Sequence, residues 1–206
     1  MEGLSFRGAT AADTKRIGEI IFGDPPREMV GMMGGDERRA SAFGKEMVRL
    51  PGSAMGWQRT VIAELDGEAA GALQAGGEPV NGGITPAYAL LALRIFGLPG
   101  SLKLLAPMRA RSRLGMQHPA GSYQVHELHV DAGIRNRGIG GYLLRYAEED
   151  AWFRGHRVMS LVTTTSNPAR RLYERHGFEV VQTRTDPEHE RYTGIAGRHL
   201  MVKELT

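Results

Sequence analysis

The sequence predicts an α/β fold in which a central mixed sheet of about six or seven strands is flanked by helices. Strand-like and helix-like apolar patterns alternate along the chain, Asp66-Gly67 marks a β-hairpin, and one helical pattern lies between two apolar strands in the second half. A hairpin joins antiparallel strands and a helical crossover joins parallel ones. Both connections occur, so the sheet is expected to be mixed.

The composition is that of an ordinary globular protein, and it limits the chemistry. Of the 206 residues, 41% are hydrophobic and 24% are charged, which is typical of one domain over residues 1–206. The absence of cysteine excludes disulfides, thiolate metal sites and a cysteine nucleophile. We find no signal-peptide pattern and no run of about 18 apolar residues, which predicts a cytoplasmic protein without stable membrane insertion.

The charge balance gives only a weak indication of partners. The formal net charge is +3 and the basic residues are mostly arginine. Because these arginines are scattered among acidic residues, the pattern favours a solvated surface with a local anion site over a nucleic-acid groove.

The first half of the chain predicts strands and helices in alternation. Residues 4–10 alternate like a strand, and Thr10 with Asp13 resembles a capping box ahead of a helix that Pro25-Pro26 ends. Residues 85–117 predict a helical insertion between the third and fourth strands, divided at Pro99-Gly100. This insertion is basic and amphipathic, and a lid on its own domain is favoured over a membrane anchor because its leucines are few.

The stretch "RNRGIGGYLL", residues 135–144, lies where a strand pattern changes into a helix pattern. Glycines at a helix start allow backbone N–H groups to point at a phosphate, although an ordinary turn has the same composition. A dinucleotide fingerprint does not fit, because Leu143 replaces its third glycine, and a P-loop does not fit because no Gly-Lys-Ser/Thr follows. The helix is expected to bury Ile139, Leu143, Ala147 and Ala151.

Two blocks of the second half resemble the GNAT acetyltransferase superfamily. "LHVDAGIRNRGIGGYLL" is similar to its R/Q-x-x-G-x-G/A signature, and "SNPARRLYERHGF" is similar to its N-x-x-A-x-x-L-Y-x-x-x-G-F segment. The matching residues are Arg135, Gly138 and Gly140 in the first block and Ala169, Leu172, Tyr173, Gly177 and Phe178 in the second. The resemblance covers about residues 125–181. It implies the GNAT fold and a CoA-dependent N-acetyltransferase.

The resemblance also implies a binding site for acetyl-CoA as a co-substrate. Turn amides, with Arg135 and Arg137, are expected to hold the pyrophosphate, and the preceding strand is expected to pair with the pantetheine arm. The implied contacts are Leu128, His129, Val130, Arg135, Asn136, Arg137, Gly138, Ile139, Gly140 and Gly141. Ser166 stands where the family usually has Asn, and Asn167 follows it, so either is expected to bond a pantetheine amide.

Acetyl transfer to an amine needs a base and an acid. A lysine-type amine has a pKa of about 10.4 and must lose a proton before it attacks. His126 is the first candidate base, with a half-buried structural histidine as its alternative, and Glu127 is the second, provided that a β-bulge redirects it. Tyr173 is expected to protonate the departing thiolate, or to pack in the core, or both.

No metal site is predicted. His126 and His129 are three residues apart on a strand and are expected to face opposite sides. The other histidines are interpreted as surface or loop residues: His118, His156, His176, His189 and His199.

The predicted reaction is direct attack in a ternary complex, since no thiol is present to form an acyl-enzyme. The alternative is a non-catalytic acyl-CoA-binding or sensing module. Acetyl-CoA and an amine acceptor are the expected partners. The sequence leaves the oligomeric state open, and the resemblance allows a homodimer because family members often dimerise. The acceptor pocket is predicted to involve residues 25–56, residues 85–115 and the tail near Tyr192. None of these segments contains a sequence motif that identifies the acceptor.

Overall fold

One seven-stranded sheet organises the computed structural model, which describes residues 1–50, 53–77 and 85–206. Its strands are β1 (Leu4–Gly8), β2 (Thr60–Leu65), β3 (Glu68–Gly76), β4 (Tyr123–Val130), β5 (Val158–Thr164), β6 (Glu179–Thr185) and β7 (Gly197–Glu204). Their order is β1-β2-β3-β4-β5-β7-β6. The β4–β5 pair is parallel and the other neighbouring pairs are antiparallel, so the predicted mixed sheet is confirmed.

Helices cover both faces of this sheet. They are α1 (Thr14–Phe22), α2 (Arg27–Met32), α3 (Glu37–Arg49), α4 (Pro86–Lys103), α5 (Leu105–Ser112), α6 (Ile139–Phe153), α7 (Arg170–Arg175) and α8 (Pro187–Thr193). On one face, α6 buries the predicted stripe that includes Leu143 and Ala147. On the other face, α1 packs Ile17 and Ile21 against Ile62 of β2. The removal of these side chains from water is the main stabilising term for both layers.

Local sequence signals coincide with several boundaries of these elements, including the predicted hairpin. Asp66 (φ 54°) and Gly67 (φ 83°) form the two-residue turn between β2 and β3, where two positive φ values match the twist of a hairpin. Gly177 (φ 82°) follows α7 in the left-handed conformation typical of a helix end. Helix α8 was not predicted, although Asp186 caps it through its side chain and Pro187 begins it.

The insertion between β3 and β4 is helical, but its break differs from the prediction. The backbone leaves helical geometry at Gly97 (φ 67°), two residues before Pro99. The proline ring collides with the carbonyl four residues earlier, so the helix opens upstream, where a glycine accepts positive φ. Within the described residues no single helix is long and apolar enough to cross a membrane; α4 and α5 meet that test only together and are bent by 71°.

Candidate functional site

Strands β4 and β5 separate part-way along the sheet. Their pairing covers Tyr123 to Val125 of β4 opposite Met159 to Leu161 of β5. Beyond Val125, β4 continues to Val130 and stays paired with β3, while β5 stays paired with β7 up to Thr164. In the described part of the chain, the inner edge of β4 from His126 to Val130 therefore has no strand beside it. An extended ligand arm can add to such an edge by main-chain hydrogen bonds.

The glycine turn lies between this edge and the start of α6. Asn136 (φ 65°) and Gly138 (φ 85°) both adopt the left-handed conformation. Within the described residues, the N–H groups of Gly138, Ile139 and Gly140 have no backbone acceptor, as is usual for a first helical turn. Free amides at the positive end of a helix dipole are able to bind an anion. The amide of Gly141, which the sequence also assigned to phosphate, instead donates to the Gly138 carbonyl oxygen at 2.9 Å.

Two glycines of the turn also lie close to α7. A Cβ on Gly140 would lie 3.1 Å from Leu172 Cδ2, and one on Gly141 would lie 3.1 Å from His176 Nε2. Small residues here let α6 approach α7. Around Gly138, by contrast, no atom lies within 4 Å of the position that a Cβ would take. The space in front of Gly138 is open for a ligand.

Some of the side chains that flank the turn are hydrogen-bonded within the protein, and others are free to contact a ligand. Arg135 donates from Nε to the Val130 carbonyl oxygen at 3.2 Å and lies against Asp24, whereas Arg137 is exposed. Asn167 is engaged within its own turn: Oδ1 accepts from the Ala169 N–H at 2.9 Å, and Nδ2 donates to Thr163 Oγ1 at 2.7 Å. Ser166 is exposed, which leaves its hydroxyl accessible beside the end of β5.

A β-bulge lies at His126. Gln74 of β3 pairs with Glu127, and the next residue, Ala75, pairs with Val125, so His126 is the additional residue in β4. Beyond the bulge the alternation is reversed: Leu128 packs with Val125 on the α6 side. Regular alternation along β4 would place His126 and Leu128 on the same face, but the bulge places them on opposite faces. The bulge also redirects Glu127 to the face of His126, as its role as a candidate base requires.

The two candidate bases differ in surroundings. Burial, with the nearby charges of His118 and Arg59, lowers the pKa of His126 to about 4, and its Nε2 is buried without a partner in the described structure. The imidazole is therefore neutral near pH 7. The Glu127 side chain is 30% exposed and contacts His129, whose Nε2 lies 2.7 Å from Glu127 Oε2.

Tyr173 approaches the gap from the α6 side. Its ring packs edge-on against Phe178, with centroids 6.3 Å apart, and belongs to the main core. Burial and the nearby charge of Glu127 raise the pKa of Tyr173 to about 12. The hydroxyl thus keeps its proton across the physiological range and is available as a hydrogen-bond and proton donor to a thiolate that forms beside it.

A group of charged residues beside Glu127 was not predicted from the sequence. Glu28 of α2 is buried and accepts from Arg198 of β7 at both carboxylate oxygens. Although burial opposes it, this pairing lowers the pKa of Glu28. His189 of α8 lies 3.1 Å from Glu28 Oε1, and Arg111 of α5 lies 3.9 Å from it. The group joins α2, α5, α8 and β7 next to the site.

These contacts correct the interpretation of two histidines as surface residues. His189 is fully buried, and burial lowers its pKa, which favours the neutral imidazole. His199 is also buried and contacts Thr183 through Nδ1 at 2.8 Å. Within the described residues, no group of three or more His, Asp or Glu side chains is placed to hold a metal ion.

Replacement of Glu28 by Gln is expected to destabilise the protein by about 3 kcal/mol, because it leaves the guanidinium of Arg198 buried without its counter-charge. The pKa of Glu28 is lower in the folded protein than the ordinary glutamate value of 4.5. The stabilisation by this ion pair is therefore complete at pH values above 4.5, and it is lost as the pH falls through the pKa of the folded state. Thermal unfolding from pH 3 to 8 measures it. Glu174→Gln, which breaks an exposed pair with Arg170, is the control and should shift stability little; equal shifts for both variants would contradict the assignment.

Comparison with known proteins agrees with this geometry. Residues 110–180 match the family model described as the acetyltransferase (GNAT) domain. The GNAT acetyltransferase domain is thus recognised over residues 110–180. Solved GNAT structures have the same fold: a structure described as an acetyltransferase superposes with a TM-score of 0.59 at 22% identity, covering 98% of this chain and all of the other. No curated protein matches the chain.

Two further structures extend this comparison. A polyamine N-acetyltransferase of Drosophila melanogaster, which forms N-acetylagmatine, gives a TM-score of 0.59 at 18% identity, covering 98% of this chain and 100% of that one. The PaiA N-acetyltransferase of Thermoplasma acidophilum, solved with coenzyme A, gives 0.57 at 14% identity, covering 98% and 99%. At these identities the comparison establishes the GNAT fold rather than the acceptor.

Proposed function

We propose that the protein transfers the acetyl group of acetyl-CoA to an amine by direct attack in a ternary complex. The observation that carries this proposal is the gap between β4 and β5, with Glu127 and Tyr173 near it and the amides of the glycine turn at its end. The arm of coenzyme A fits along the unpaired edge of Leu128 to Val130, with its pyrophosphate on the amides of Gly138 to Gly140.

In the proposed reaction, the amine nitrogen attacks the acetyl carbonyl carbon, the C–S bond breaks, and the thiolate takes a proton from the Tyr173 hydroxyl. The proton lost by the amine goes to Glu127, which His129 positions through their 2.7 Å contact. We prefer Glu127 to His126 as the base, because the Glu127 carboxylate is accessible while Nε2 of His126 is enclosed.

An acceptor screen tests the proposed function directly. Purified protein is mixed with acetyl-CoA and amines of different classes, including polyamines, amino acids and peptides, and the free thiol of released coenzyme A is detected. Amine-dependent thiol release is expected. Coenzyme A binding without thiol release for any amine would contradict the proposal and favour an acyl-CoA-sensing module.

Glu127→Gln is expected to lower kcat about tenfold to a hundredfold near neutral pH, with the loss shrinking at higher pH as more of the amine becomes deprotonated in solution. The pH profile of kcat with the best acceptor measures this. His126→Gln serves as the comparison and should retain most of the activity. A larger loss in His126→Gln, rescued in the same way by high pH, would transfer the role of base to His126.

A further inference from the structure

The guanidinium of Arg111 is incompletely neutralised beside the site. Arg198 already forms a two-point pair with Glu28, and Arg111 lies only within 3.9 Å of that carboxylate. In the described structure, Arg111 donates no hydrogen bond. Two arginines thus share one buried carboxylate, and this leaves one positive charge in excess together with the five N–H donors of Arg111.

Arg111 is packed against the buried pair of Glu28 and Arg198 on one side and is accessible to water on the other. Burial and the charge of Arg198 lower its pKa, and the charges of Glu28 and Glu127 oppose this, yet 40% of its side chain is accessible. Its guanidinium is therefore accessible to a ligand on the side that faces away from Glu28. The helix that carries it is held in place, because Arg113 pairs with Asp186 and Glu188 at the start of α8, each at 2.6 Å.

Two opposite charges therefore lie beside the gap. Glu127 is on β4, just beyond the last residue that pairs with β5. Arg111 lies against Glu28, whose partner Arg198 is on β7. Arg198 pairs with Thr164 at the separated end of β5, and the charges of Arg111 and Glu127 are close enough to interact. An amine that bears a carboxylate a few bonds away complements both charges, since its ammonium group meets Glu127 and its carboxylate meets Arg111. A diamine would place its second cation against Arg111, which is unfavourable.

We propose that Arg111 is a specificity-determining residue that binds the carboxylate of the acceptor, so that the acceptor is a small amino acid rather than a polyamine. This inference rests on the proposed acetyl transfer at the same site. It assigns the insertion a role in acceptor selection, because Arg111 lies in α5, between β3 and β4.

The test uses three series of acceptors with two to six carbons, each with an amine at one end. They differ only in the group at the other end: a methyl group in alkylamines, a carboxylate in ω-amino acids and a second amine in diamines. Binding to the coenzyme A-loaded protein is measured by calorimetry and acetylation by thiol release. At the best chain length, the amino acid should exceed the alkylamine about tenfold to a hundredfold in affinity and in kcat/KM, and the diamine should be the weakest. Arg111→Gln should abolish this preference, and Arg111→Lys should retain part of it.

Arg109→Gln is the matched control, because Arg109 is an exposed arginine on the same helix and its loss should leave the preference unchanged. An unchanged preference in Arg111→Gln, or a diamine that binds best, would overturn the inference. Because binding is measured separately from turnover, absence of acetylation for every amine would contradict the proposed function, while loss of the Arg111-dependent difference in binding would contradict only the role of Arg111.

Discussion

Replacement of Gly138 by Val is expected to weaken coenzyme A binding by more than about a hundredfold. Gly138 has a φ of 85°, where a Cβ is strained, and the space in front of it is open for a ligand. A valine side chain would occupy that space and turn the amides of Gly138 to Gly140 away from the phosphates. Calorimetric titration with coenzyme A measures the loss, which corresponds to about 2.7 kcal/mol.

The control lies at the other end of the same helix. Gly155 has a φ of 80°, and no atom lies within 4 Å of its potential Cβ, so Gly155→Val introduces a comparable backbone strain of about 1–2 kcal/mol away from the turn. Both variants should lose similar thermal stability, and only Gly138→Val should lose binding. Similar affinities in the two variants would show that the turn does not hold the cofactor.

The features that the sequence predicts well depend on neighbours along the chain. The hairpin at Asp66-Gly67, the end of α7 at Gly177 and the glycine turn at Gly138 each follow from the conformational preferences of a few consecutive residues. The buried stripe of α6 follows from helical periodicity in the same way. These elements belong to the sheet and to the turn on which we propose that the pyrophosphate binds.

The acceptor side depends on contacts between distant segments, and the sequence does not reveal it. The bulge at His126 exists only through the register of β4 against Gln74 and Ala75 of β3, and it changes which side chains share a face. Glu28 and Arg198, 170 positions apart, form a buried pair that no local pattern indicates. Helix α8 was not predicted because it has only seven residues, which are too few to show the apolar periodicity of a helix.

Replacement of Tyr173 by Phe is expected to lower kcat about a hundredfold while leaving the KM for acetyl-CoA nearly unchanged. The hydroxyl acts mainly when the thiolate forms, so its loss raises the barrier by about 2.7 kcal/mol without weakening ground-state binding. Because the pKa of Tyr173 is raised to about 12, the wild-type rate should not fall through loss of this proton between pH 7 and 10. Steady-state kinetics over that range measure both effects.

Tyr123→Phe separates this chemical role from packing. The Tyr123 hydroxyl donates to Asp150 Oδ2 at 2.5 Å at the closed end of the β4–β5 pair, so its loss should reduce thermal stability and leave kcat nearly unchanged. In the described structure the Tyr173 hydroxyl has no hydrogen-bond partner, and Tyr173→Phe should keep the wild-type stability because the ring still packs on Phe178. A variant at Tyr173 that unfolds earlier but turns over at the wild-type rate would make this tyrosine a core residue only, and the proton for the thiolate would then have to come from water in the gap.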